Sequence, residues 1–175
     1  MGPLHRERSP NSALIRISNR FAAAQWPTKK DEDRVHVSGG IPGLCDAVVQ
    51  LYDGHGGKHA ARHCILEMAA VVEECFFNFR DTRKYLEDRD TLYGKVDDTG
   101  FHPRLDDAVV AAFERLDREI RAEDDSGTTA AVIFLRKGAA NVPGFASGDV
   151  IVKCAWVGDS RAVMFRDGDL NSVMD

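Results

Sequence analysis

The sequence lacks several features that would assign it to a specialised class of protein. No apolar run approaches the roughly 20 residues that a membrane-spanning helix needs, and the polar start of the chain is unlike a signal peptide. There is no basic excess, because the formal net charge is −5, and this argues against a generic nucleic-acid-binding surface. The four cysteines form no Cys-x-x-Cys pair, which favours reduced thiols in a cytoplasmic or nuclear protein.

The composition that remains is typical of one globular domain. Hydrophobic residues make up 43% and charged residues 29% of the 175 positions, which is ordinary for a folded domain. This length is enough for one domain with a real core and too short for two comfortable ones. We expect a flexible polar N-terminus over residues 1–12 and a single domain over residues 13–175.

Alternating and amphipathic patterns predict several strands and two helices. Helices are expected over 58–79 and 105–121, where apolar residues recur at spacings of three and four. Period-two patterns and short apolar runs predict the strands. These cover 13–18, 34–38, 46–52, 128–135, 150–157, 161–165 and 170–173, with 21–30 expected to be a loop.

A histidine pair lies near the start of the first predicted helix. His59 and His63 are four residues apart and Cys64 is adjacent, so a zinc site is conceivable. A helical histidine pair without a supporting carboxylate or a Cys-x-x-Cys motif is more often a pair of surface residues. The sequence therefore gives the zinc interpretation little weight.

The segment Asp53-Gly54-His55-Gly56-Gly57, called the glycine turn below, joins an apolar strand to this helix. Its glycines allow a sharp bend and leave backbone groups uncovered by side chains. A carboxylate and an imidazole two residues apart suit a hard divalent cation and a proton donor. A turn whose Asp and His only cap and solvate is the alternative, and the five residues alone do not decide between them.

The order of three further motifs along the chain favours a metal-binding role for the glycine turn. The acidic pair Glu32-Asp33 precedes the glycine turn by about twenty residues. Residues 126–130 (Ser-Gly-Thr-Thr-Ala) and 156–163 (Trp-Val-Gly-Asp-Ser-Arg-Ala-Val) follow it. On these motifs the sequence resembles the metal-dependent Ser/Thr protein phosphatases of the 2C type (the PPM family), over roughly residues 13–175.

The resemblance implies a fold and a set of site residues. The fold is α+β: a four-layer α-β-β-α sandwich of two antiparallel sheets flanked by helices. Asp53 matches a carboxylate that bridges two Mg²⁺ or Mn²⁺ ions, and Gly54 a backbone carbonyl ligand. Glu32 and Asp33 match the acidic pair that contacts the metals, and His55 matches a proposed general acid. Asp159 matches an aspartate associated with a third, weaker metal.

The implied activity is hydrolysis of phosphoserine and phosphothreonine in phosphorylated protein substrates. A hydroxide on the metals would attack phosphorus directly, without a phosphoenzyme. No nucleic-acid or membrane partner is expected, and we expect a monomer. The alternative is a catalytically inactive fragment or pseudophosphatase that acts as a binding or regulatory module.

The sequence departs from the family pattern in two places. An arginine that holds substrate phosphate usually lies four residues before the Glu of the acidic pair, where this chain has Thr28. Lys29 and Lys30 are the candidates to replace it, although lysine cannot make a bidentate fork. Arg20 would serve only if the loop bends back.

The second departure concerns the later half of the family's domain, which supplies further metal aspartates. We therefore expect residues 13–175 to be the N-terminal part of such a domain, truncated at the C-terminus, and inactive by itself.

Overall fold

Ten strands and two helices make up the part of the chain that the computed structural model describes, namely residues 15–18, 21–23, 30–78, 100–137, 149–166 and 169–172. The helices are α1 (His59–Asn78) and α2 (Leu105–Glu123). The strands are β1 (Ile15–Ser18), β2 (Phe21–Ala23), β3 (Arg34–Gly39), β4 (Ala47–Tyr52), β5 (Gly54–His55), β6 (Gly127–Thr128), β7 (Ala130–Lys137), β8 (Val150–Val157), β9 (Val163–Arg166) and β10 (Asp169–Ser172).

The largest sheet has four antiparallel strands in the order β3-β4-β7-β8. β4 pairs with β3 on one side and with β7 on the other, and Leu51 lies opposite Ala131. Side chains of a strand point alternately to the two faces of its sheet. Val48, Gln50 and Tyr52 are accordingly buried on one face, while Leu51 on the other face is 38% exposed.

Both helices pack against each other and contribute to one core with the buried face of this sheet. Their periodicity predicts this, because residues three and four apart lie on the same face of a helix. In α2 the buried residues repeat at these spacings. They are Leu105, Ala108, Val109, Ala112, Leu116 and Ile120. From α1 the core takes Ala60, Ala61, Cys64, Met68, Val71, Val72 and Phe76.

Three small antiparallel pairs complete the described strands. β1 pairs with β2, β9 pairs with β10, and β5 pairs with β6. The expectation of a loop over residues 21–30 is wrong at its start, because β2 forms there and pairs with β1. The single strand expected over 128–135 is divided at Thr129, so that β6 pairs with β5 while β7 continues in the large sheet.

The expected fold class is confirmed: the chain is an α+β sandwich of antiparallel sheets and helices. Neither described helix contains a stretch both long and apolar enough to span a bilayer. The expected flexibility of residues 1–12 and the positions of Arg20, Thr28 and Lys29 lie outside the described residues. That the domain continues past residue 175 stays a prediction.

Candidate active site

The glycine turn leads directly from the large sheet into α1. Asp53 follows the last residue of β4, and β5 then pairs with β6. Gly56 and Gly57 have φ values of 73° and 140°, a region that side chains other than glycine's rarely adopt. Gly54 is needed for a different reason: a Cβ there would lie 2.5 Å from the backbone oxygen of Glu32. The turn therefore has glycine where the chain bends and where it meets the acidic pair.

The acidic pair is held against this turn by hydrogen bonds. The backbone N–H of Gly57 donates to Oε1 of Glu32 at 2.9 Å. On the other side of the pair, the Arg34 guanidinium donates to the backbone oxygens of Asp31 and Asp33 at 2.9 and 2.6 Å. Asp31 has a positive φ of 52°. Arg34 thus fixes the backbone on both sides of Glu32, and Glu32 fixes the glycine turn.

Two carboxylates from distant parts of the sequence influence the Asp53 carboxyl at this end of the sheet. The pKa of the Asp53 carboxyl is raised above its ordinary value, first by partial burial and then by the charge of Asp33 and a hydrogen bond with it. Asp159 raises this pKa further, while His55 opposes the shift. Because the Asp53 side chain is largely exposed, we give more weight to the neighbouring carboxylates than to burial. Carboxylates that repel one another favour a cation between them.

The imidazole of His55 lies directly over Gly127. β5 and β6 place these two residues opposite each other. A Cβ on residue 127 would be 2.4 Å from Nε2 and 2.8 Å from Cε1 of that ring. The His55 side chain is otherwise exposed. The absence of a side chain at position 127 therefore leaves room for the imidazole, and solvent can reach the ring.

The Ser-Gly-Thr-Thr-Ala motif (residues 126–130) connects the other parts of the site. The buried Ser126 hydroxyl accepts a hydrogen bond from the Ala60 N–H in the first turn of α1 at 3.0 Å. The Thr129 N–H donates to the Asp53 backbone oxygen at 2.9 Å. The Thr129 hydroxyl also contacts the Ser160 hydroxyl, next to Asp159. One motif therefore fixes the start of α1, the glycine turn and the turn after β8.

The structure brings together the residues that the sequence analysis singled out. Asp33, Asp159 and His55 each alter the pKa of Asp53, while Glu32 and Gly54 lie in contact across the turn. Lys30 is less well placed: its side chain is 83% exposed and its Nζ lies 3.9 Å from Oε2 of Glu32.

Sequence reasoning missed Arg34, and it singled out the motif that contains Ser126 and Thr129 without predicting how these two residues organise the site. The acidic run before Arg34 was a usable signal for it, since a guanidinium inside such a run tends to find acceptors. The other two act across long sequence separations, and local patterns carry no such information.

No metal site is fully preformed among the residues that the structure describes. They contain no group of three or more His, Cys, Asp or Glu side chains already placed to hold an ion. Glu32 directs one oxygen to Gly57, and Asp33 lies close enough to Asp53 to raise the pKa of the Asp53 carboxyl. The donors are nevertheless all oxygens, and the electrostatic strain among them is what a divalent cation relieves. The donor set fits such an ion in its chemistry.

The fold and the site define an α+β domain in which turns at one end of a sheet gather carboxylates and an imidazole. The sequence matches the model of the family described as Protein phosphatase 2C over residues 32–174. The match covers most of the chain and includes every motif described above. The chain belongs to the protein phosphatase 2C family.

Proposed function

We propose that this chain carries the catalytic site of a Mg²⁺- or Mn²⁺-dependent protein serine/threonine phosphatase. The observation that carries the proposal is that Asp33, Asp159 and His55 all lie near enough to Asp53 to alter the pKa of its carboxyl. Paired carboxylates next to an exposed imidazole suit hydrolysis of a phosphate ester, whose transition state needs charge stabilisation and a proton for the leaving oxygen. Membership of a phosphatase family supports the same reaction.

Asp53, Asp33, Glu32 and Asp159 are the side chains that would hold the cations, with the Gly54 carbonyl as a backbone ligand. When bound, the ions supply Lewis-acid activation of a water and neutralise the phosphate oxygens. The chain's own contribution is to hold these ligands in place. Glu32 is fixed by the Gly57 N–H, and the Asp53 backbone oxygen is fixed by the Thr129 N–H.

His55 is the proposed proton donor to the departing Ser or Thr oxygen. Its imidazole is exposed and lies over Gly127, so a bound substrate can reach it. A serine alkoxide is strongly basic, and protonation of such a leaving group is worth roughly 10²–10⁴-fold in rate.

Phosphate binding is the least specialised part of the proposed site. Lys30 is described and is close to Glu32, so its ammonium is available as a point charge near the carboxylates. The Arg34 guanidinium is already engaged with backbone oxygens of the acidic segment. We therefore assign substrate phosphate to Lys30, together with Lys29, rather than to Arg34.

A second candidate function is a non-catalytic binding or regulatory module of the same family. The observation that favours it is that no set of three metal-binding side chains is preformed among the described residues. The two candidates differ in one measurable property, which is turnover of a phosphopeptide with Mn²⁺.

The experiment compares Mn²⁺-dependent phosphopeptide hydrolysis by the natural sequence, Asp53→Asn and Asp107→Asn. It is run in parallel on residues 1–175 and on any longer product of the gene. Asp107 is an exposed carboxylate in the first turn of α2 and serves as the matched control. We expect Asp53→Asn to abolish the Mn²⁺-dependent activity and Asp107→Asn to retain it. Near-normal turnover by Asp53→Asn would contradict the site, and no Mn²⁺-dependent turnover in any form would favour the binding module.

A further inference from the structure

The most informative feature outside the candidate active site is a cluster of histidine and glutamate on the facing sides of α1 and α2. His63 Nε2 lies 3.0 Å from Oε2 of Glu119, and His59 Nε2 lies 3.3 Å from Oε2 of Glu123. The two imidazoles are stacked, with ring centroids 6.0 Å apart and an angle of 17° between their planes. Each helix therefore presents two ligand-type side chains at a spacing of four residues.

We propose that this His59–His63–Glu119–Glu123 cluster is a binding site for a transition-metal dication of the Zn²⁺ class. Two imidazoles and two carboxylates form a donor set that Zn²⁺ accepts in tetrahedral sites. Histidines at positions i and i+4 of a helix are also a known zinc-binding arrangement. From the sequence, zinc is conceivable but has little weight, because no carboxylate or Cys-x-x-Cys motif supports the histidine pair. The fold supplies two carboxylates, from a helix that begins more than forty residues after His63.

The distances within each pair already suit a shared ion. In a tetrahedral site with bonds of about 2.1 Å, neighbouring donor atoms are about 3.4 Å apart. The two nitrogen–oxygen distances of 3.0 and 3.3 Å lie close to this value. In the ring orientations described, three donors do not yet meet at one point. Binding of one ion by both imidazoles therefore requires a change in the orientations of the rings, whose centroids lie 6.0 Å apart.

Two further observations point to a ligand at this place. The Nε2 atom of His59 is shielded from solvent, yet within the described residues it has no hydrogen-bond partner, because Glu123 is near it but poorly aligned. Buried polar atoms usually have a hydrogen-bond partner or a bound ion. The His59 nitrogen has no such partner among the described residues, which is consistent with an ion bound at the cluster. Glu119 is held on its other oxygen, Oε1, by Arg115 at 2.8 Å. This contact fixes the Glu119 carboxylate and leaves its Oε2 facing His63. Arg115 would then act as the outer hydrogen-bond partner that orients a metal-binding carboxylate.

The cluster differs from the candidate active site in ligand type, and its side chains come from α1 and α2 rather than from the glycine turn. The carboxylate site offers only oxygen donors and suits Mg²⁺ or Mn²⁺, whereas imidazole nitrogen favours Zn²⁺. A metal bound here would join the first turns of α1 to the last turns of α2. The proposal does not rest on phosphatase activity.

The test is calorimetric titration of the chain with Zn²⁺ in excess Mg²⁺, which occupies oxygen-only sites. We expect one Zn²⁺ per chain. Mutating a residue that only hydrogen-bonds to a metal ligand costs roughly 10–100-fold in metal affinity. The double variant His59→Asn, His63→Asn removes two proposed ligands, so we expect its Zn²⁺ affinity to fall by at least this factor. Controls are His36→Asn, an imidazole on β3 that is not part of the cluster, and Asp53→Asn in the other site; both should retain full affinity.

Two further measurements keep the result interpretable. Co²⁺ in place of Zn²⁺ should give the visible absorption of a tetrahedral site, and the double variant should lose it. Glu123→Gln alters a side chain that is 60% exposed, so the fold should tolerate it, and it should weaken Zn²⁺ binding as well. Absence of stoichiometric Zn²⁺ binding, or equal affinity in the double variant, would overturn the proposal and leave only ion pairs between the helices.

Discussion

The substitution Gly127→Ala tests whether the position of His55 depends on an absent side chain. An added Cβ would lie 2.4 Å from His55 Nε2, whereas non-bonded contacts are comfortable at roughly 3.5 Å. The imidazole must therefore move by roughly 1 Å. Gly127 does not have a positive φ, so alanine is compatible with its backbone, and the moving group is a side chain. We expect the free energy of unfolding to change by less than about 1 kcal/mol.

The expected functional effect is large despite this small effect on stability. A displacement of about 1 Å in a catalytic group costs on the order of 10²-fold in rate. Hydrolysis of a phosphopeptide should therefore fall by about 100-fold, as it should in His55→Ala. An aryl phosphate, whose leaving group needs little protonation, should be hydrolysed nearly normally.

The assay combines kinetics on both substrates with NMR spectra of the His55 imidazole, which report its position independently of activity. Gly39→Ala is the matched control, because a Cβ there would meet no atom within 4 Å. Unchanged imidazole shifts in Gly127→Ala would refute the steric argument. Shifted signals with unchanged phosphopeptide turnover would instead refute the role of His55.

Two further predictions concern stability and ionisation. Ser126→Ala removes the acceptor for the buried Ala60 N–H, which should cost about 1–2 kcal/mol; amide exchange at Ala60 should accelerate by roughly 5–30-fold, and an unchanged rate would exclude the cap. Burial, and to a smaller extent Asp117, raises the pKa of the Cys64 thiol to about 12 from its usual 9.0, so this thiol should resist alkylation by iodoacetamide at pH 8.5 in the folded protein. The folded chain then holds a proton that the unfolded chain releases, so the contribution of Cys64 to stability should be complete below pH 9 and fall as the pH rises above it; Cys64→Ala should flatten that fall in urea titrations.

Long periodic segments could be predicted from the sequence, and short ones could not. The helix expected over 58–79 is α1 (His59–Asn78), because seven apolar positions on one face leave little ambiguity. β2 has only three residues and precedes a segment with Pro27, so its pattern was too short to distinguish a strand from a loop. The break at Thr129 was hidden because a continuous apolar run carries no mark of where the pairing partner changes.

The candidate site shows a similar limit. Motif order was enough to select the carboxylates and His55, because the residue types themselves carry the chemistry. The contacts that hold them in place join residues far apart in the chain: Ser126 and Ala60 are separated by 66 positions, and Glu119 and His63 by 56. Patterns within a window of the sequence cannot reveal such pairs. The fold itself is needed to show the α1 cap and the histidine–glutamate cluster.

β4 cannot pair with β7 until the ribosome has added the residues between them. Asp46, just before β4, accepts a hydrogen bond from the Lys137 N–H, which is added to the chain 91 residues later. At about 5–20 residues per second, the ribosome needs on the order of 5–20 s to make that length. During this interval the β3–β4 hairpin has an unpaired apolar edge strand, and until Glu123 has been added α1 has no complete α2 to cover it. Nascent chains of this protein should therefore depend on whatever shields an exposed strand edge at the ribosome, and slow codons between β4 and β7 would lengthen that dependence.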